Sequence, residues 1–194
     1  MYNFQNVLGV AAVVIALVSY VPYIRDILRG NTKPHPVSWF AFALLMAITF
    51  GAQVVTGAGP GAWVMGVSAI CIFAIAIFAI VRGGVEVVPF DWACLIAAVF
   101  GIVLWLVTND PLTAVIIVTI TDAVAMGPMF RKAYLKPYEE TLSLFVLSIA
   151  KFVVGFFAFS AFTLTNALFP SVIIGLNVAF VILLIYRRKQ VKMT

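Results

Sequence analysis

The sequence predicts an all-α membrane protein of seven transmembrane helices, built as two parallel three-helix units joined by a linker helix. Three observations carry this. The 194 residues are 64% hydrophobic and 10% charged, with a mean hydropathy of +1.17; an ordinary soluble domain carries roughly 25% charge. The apolar residues fall into runs long enough to cross a bilayer, for which about 20 residues are needed. Two parts of the chain also resemble each other.

Taken in order, the expected spans are Val7–Ile24, Val37–Thr56, Trp63–Val81, Asp91–Val107, Leu112–Phe130, Leu142–Leu164 and Leu168–Tyr186. The start, MYNFQN, has no basic region, so the first run is read as a retained helix and not a cleaved signal. Short links GAGPGA, TNDP and TNA lie on one side of the membrane and longer charged links on the other. Every one of the twelve lysines and arginines except Lys151 falls on that second side. They are Arg25, Arg29 and Lys33 after span 1, Arg82 after span 3, Arg131, Lys132 and Lys136 after span 5, and Arg187, Arg188, Lys189 and Lys192 in the tail. Basic loops face the cytoplasm, which predicts an outside N-terminus and a cytoplasmic C-terminus. The expected setting is a multi-pass protein of a bacterial or archaeal inner or plasma membrane.

The repeat compares VPYIRDILRGNTKPHPVSWF (21–40) with GPMFRKAYLKPYEETLSLF (127–145). Each copy has a proline near the inner end of its span, an arginine three residues on, and a Lys-Pro in the next loop. Gly66-Val67-Ser68 likewise parallels Gly175-Leu176-Asn177. The units are then 1–82 and 112–194, the second including the tail, with 83–111 as the linker. A single connecting span makes the two units parallel, related by an axis along the membrane normal.

This 3+1+3 layout, with prolines near the inner ends of spans 1 and 5, resembles the SWEET and PQ-loop (MtN3-like) superfamily. That group includes sugar transporters, lysosomal amino-acid exporters and the KDEL receptor. The Pro-Gln pair that names the PQ-loop is replaced here by Pro22-Tyr23 and Pro128-Met129. The resemblance implies hinge roles for Pro22 and Pro128. It also implies a substrate-contacting role for Asn177, with Ser68 as its counterpart in the third span.

Composition excludes several functions. A net charge of +5 could suggest nucleic acid, but the basic residues sit in loops and no nucleic-acid partner is expected. Cys71 and Cys94 lie in apolar runs and behave as small hydrophobes. His35 is the only histidine, so neither a metal site nor a cofactor is expected, and an enzyme is not expected either. Seven spans with an intramembrane lysine outline a retinal protein, but Lys151 is in span 6 and not the last.

Charges inside a bilayer are costly and are functional-site hypotheses by default. Asp122 lies ~12 Å from the inner end of span 5, and Lys151 and Asn177 lie ~14 Å from the inner ends of spans 6 and 7. The three share one level near the midplane, where carriers of repeated design bind substrate and coupling ions. Tyr20, Gln53 and Ser68 are the polar candidates of the first unit. The expected substrate-binding set is therefore Asp122, Lys151, Asn177, Ser68, Tyr20 and Gln53. A purely structural Asp122–Lys151 salt bridge between two helices is the competing reading.

Glu139 and Glu140 are expected to favour the start of span 6 through the helix dipole, and Arg131 and Lys132 to anchor headgroups. Trp39, Trp63, Trp92, Trp105 and Tyr186 are placed at membrane interfaces. The expected function is a small-solute transporter working by alternating access, with proton coupling as an option. The alternative is a non-transporting seven-helix receptor or sensor on the same scaffold. Expected partners are a small-molecule solute and the lipid bilayer, and a homo-oligomer is open.

Overall fold

A computed structural model describes residues 2–32, 34, 36–81 and 110–191, together with positions 89, 92, 93, 96, 99, 100, 103 and 107. Lys33, His35, Arg82, Cys94, Trp105 and Lys192 lie outside the described residues, as does most of the linker 83–111 with its fourth span. Its eight described positions up to 107 are helical and exposed, and they recur at helical spacing.

The other described residues form six α-helices and two short 3₁₀ turns, with no strand among them. The helices are α1 (Tyr2–Leu28), α2 (Pro36–Val55), α3 (Trp63–Val81), α4 (Pro111–Leu135), α5 (Leu142–Phe157) and α6 (Leu164–Gln190). The turns are Gly59–Ala62, before α3, and Pro137–Glu139, between α4 and α5. Five helices, all but α5, are long and apolar enough to cross a membrane.

Local chemistry sets the ends. α1 stops where Gly30 takes a left-handed φ of 77°, which lets Asn31 N–H donate back to Asp26 O at 2.9 Å. α4 starts on Asp110, whose carboxylate accepts from the Leu112 and Thr113 amides, followed by Pro111 at a position where a missing N–H costs nothing. α5 ends at Phe157 and not at the expected Leu164. Its 16 residues span ~24 Å, short of the roughly 30 Å of a hydrocarbon core. The cause is visible in the next residues. Thr163 caps α6 by accepting from Asn166 N–H at 3.2 Å, so the last helix begins at Leu164 and not Leu168. The intervening backbone is held from outside: Ser160 N–H donates to Ala58 O at 2.9 Å and Gln5 Nε2 to Phe159 O at 2.9 Å.

Both positions expected as hinges lie within helices. α1 runs on to Leu28 beyond Pro22, and α4 runs on to Leu135 beyond position 128.

The six helices pack as a closed ring in the order α1, α3, α2, α4, α6, α5 and back to α1. In α1–α3 the third helix sits between the first two, and the same holds in α4–α6. Exchanging the two units reproduces the ring. Leu45, Ile75, Val115, Phe169, Phe180 and Leu184 are buried within it. Its outer surface is apolar: Val7, Val10, Val14, Leu17 and Val21 of α1 are all exposed. A contiguous apolar surface of this kind marks an interaction with a membrane or a protein, and with five membrane-length helices the chain is an integral membrane protein.

Candidate functional site

A cavity of about 70 Å³ lies between the two units, lined by residues of all six helices. That is room for a handful of water molecules. Its polar lining is Tyr20 from α1, Asp122 from α4, Ser148 and Lys151 from α5, and Asn177 from α6. Trp39, Phe42 and Met46 of α2, Met126 and Met129 of α4 and Phe145 of α5 supply much of the apolar wall.

Lys151 is 1% exposed. Its ammonium donates to the Tyr20 hydroxyl at 2.7 Å and to Ser68 Oγ at 3.0 Å. It also sits 4.4 Å from the Tyr20 ring centroid and 4.8 Å from that of Phe152, where the negative ring faces attract a cation. One side chain of the second unit is thus bound to two helices of the first.

Asp122 is 4% exposed, yet no hydrogen bond or ion pair engages it among the described residues. The competing reading, a structural salt bridge with Lys151, is not seen among the described residues: the two line one cavity without an ion pair. Lys151 is held by neutral hydroxyls instead, because α1 and α3 present Tyr20 and Ser68 to it. Asn177 faces the same cavity and donates Nδ2 to Ile173 O at 2.8 Å.

Gln53 is not part of this group. It is buried near the links between α2 and α3 and between α5 and α6, and donates Nε2 to Asn166 O at 3.1 Å. There Thr56 Oγ1 donates to Asn166 Oδ1 at 2.6 Å, and Asn166 Nδ2 to Ala161 O at 2.8 Å. This knot ties α2 to the start of α6.

A second polar knot closes the opposite, basic end. Lys132 pairs with Glu140 at 2.9 Å, with Glu140 almost wholly buried. Arg188 donates to Glu140 O at 2.6 Å and to Pro137 O at 3.0 Å. Thr141 Oγ1 donates to Asp26 Oδ2 at 2.9 Å and lies 3.2 Å from Thr32 Oγ1. The α4–α5 link is thus clamped by α1, α4 and α6. Burial pushes the Glu140 carboxyl up, opposed by the Lys132 charge and hydrogen bond. Glu140 is consequently an ion-pair partner and not a helix-start acid; Thr141 holds the N-cap position of α5. Lys132 faces inward to Glu140, which corrects its reading as a headgroup anchor.

Trp39 was expected at an interface but is buried, its ring tilted against that of Tyr23 with centroids 4.9 Å apart, and it faces the cavity. Trp63, Trp92 and Tyr186 are exposed. Ser148, Met126 and the Trp39–Phe42–Met46 stripe were missed from the sequence. Helical spacing could have found them: Ser148 is three residues before Lys151, and Met126 four after Asp122, on the same helix faces. Among the described residues, no group of three or more His, Cys, Asp or Glu side chains gathers as a metal site would require.

No family model, curated protein or solved structure matches the chain.

Proposed function

We propose that the chain is a small-solute carrier of SWEET-like layout, crossing the membrane seven times with its N-terminus outside, and that its two units rock about the central cavity. The observation that carries this reading is the placement of Lys151. It belongs to one unit and is bonded to Tyr20 and Ser68 of the other, beside an Asp122 in the same cavity that is unpaired among the described residues. A relative movement of the units would have to remake those bonds, so occupancy of the cavity and the state of the bundle are coupled. The polar knots above and below would act as the two gates, opened in turn. Pro22 and Pro128, each inside its helix, would lower the cost of bending, since proline removes one backbone hydrogen bond.

The test is flux. Purified protein in liposomes is loaded against a panel of sugars, amino acids, nucleosides, vitamins and small carboxylates, beside Asp122→Asn. Uptake of a solute that the variant loses supports the carrier. Saturable binding with no uptake of any bound solute would refute it and make the protein a receptor on this scaffold.

A further inference from the structure

The cavity has a donor–acceptor imbalance that points to the chemistry of what it holds. An ammonium has three donors and no acceptor. Lys151 spends two of its three on Tyr20 and Ser68. The acceptors that share the cavity with it are largely unused. Asp122 offers two carboxylate oxygens with no partner among the described residues. Asn177 uses Nδ2 on Ile173 O, and its Oδ1 makes no hydrogen bond among the described residues. Ser148 is buried and its hydroxyl is likewise unengaged there.

Three acceptors from α4, α5 and α6, one of them ionisable, therefore line one cavity in which a donor-rich cation would find partners. A buried carboxylate is stable only when paired or hydrogen-bonded. The surrounding Trp39, Phe42 and methionine side chains suit a hydrocarbon body and not a polyol.

We infer that Asp122, with Asn177 and Ser148, is the receptor for the ammonium group of a small amine-bearing solute, while Lys151 is a fixed charge held in place by Tyr20 and Ser68. The purpose of such binding rests on the carrier reading, but the binding itself is tested without flux.

The experiment is calorimetric titration of the full chain in lipid nanodiscs with ethanolamine, with ethylene glycol (the same skeleton with the ammonium replaced by a hydroxyl) and with acetate. Ethanolamine is expected to bind and the other two to fail. In Asp122→Asn the affinity for ethanolamine falls by about tenfold or more, the share of one charged hydrogen bond. Asp122→Glu keeps the charge and binds ethanolamine more tightly than Asp122→Asn does. Selectivity in the wild type needs no variant to fold. Binding of acetate or glycol in preference to ethanolamine, no binding of ethanolamine, or equal affinity in the Glu and Asn variants overturns the assignment. Uptake of a non-amine solute unaffected at Asp122 would overturn it and leave the carrier standing. Amine binding without any transport would do the reverse.

Discussion

Removing Lys132 should cost far more than removing its partner. Lys132→Met strands the Glu140 carboxylate, which is 4% exposed and already has one oxygen, Oε2, buried without a hydrogen bond. Breaking a buried pair from one side costs about 3–5 kcal/mol. Glu140→Gln removes the buried charge and keeps a polar side chain in its place. The Lys132 side chain is 25% exposed and reaches water, so the loss should be about 1 kcal/mol, the net worth of an ordinary hydrogen bond. The double variant should be more stable than Lys132→Met alone, because no buried charge remains.

The sign of the pH dependence follows from the same burial. The Glu140 carboxyl is raised above its ordinary 4.5 in the folded protein, so the folded state holds its proton to higher pH than the unfolded chain. Stability from this group is fully present below pH 4.5 and is lost as pH rises through the raised value. Without Lys132, whose charge opposes the rise, the window widens upward. The Lys132→Met penalty should therefore shrink on acidification, by at most about 1.4 kcal/mol per pH unit. The assay is reversible unfolding in mixed micelles at several pH values for wild type, both single variants and the double. Equal losses in the two single variants, additive losses in the double, or a pH-independent Lys132→Met penalty would refute the reasoning.

Three further outcomes are expected. Asp122→Asn should be neutral or stabilising in the same assay, since it neutralises a buried carboxylate that has no partner among the described residues, whereas Tyr20→Phe should lose about 1.5–3 kcal/mol by taking an acceptor from the Lys151 ammonium; the reverse order would contradict the contacts at Lys151. Gly61→Ala should destabilise by roughly 1–3 kcal/mol, because an added Cβ would clash with the Phe159 ring; unchanged thermal stability would mean that the α5–α6 link is not packed there. In spheroplasts of a variant lacking Cys71 and Cys94, an impermeant thiol reagent should label Phe162→Cys from outside, and Lys136→Cys only after lysis. Labelling with the sides exchanged would invert the proposed topology.

Much of the helical layout is legible in composition and spacing. Burial in lipid demands long uninterrupted apolar helices, so the predicted spans for α1, α2, α3 and α4 lie close to the observed ones. The depth argument also reaches Asp122, Lys151 and Asn177, since rise per residue is constant along a helix. What spacing along one chain leaves open is rotation about each axis and what the neighbouring helix presents. Gln53 and Tyr20 are both lone polar groups in apolar runs, and nothing in their immediate sequence separates them. The ring order places Tyr20 against Lys151 and sends Gln53 to Asn166 at the other end of the bundle. Trp39 is similar: a tryptophan near a span's end reads as interfacial until packing against Tyr23 draws it inward.

The sequence by itself determined that this chain belongs in a membrane and that two opposite charges lie at similar depth, because apolar length and axial rise are local properties. The tertiary structure alone decided that those charges share a cavity without pairing, that Lys151 reaches across to the other unit, and that Glu140 and Lys132 meet at its basic end. Those are contacts between residues far apart in the chain, and only the packing of whole helices selects them.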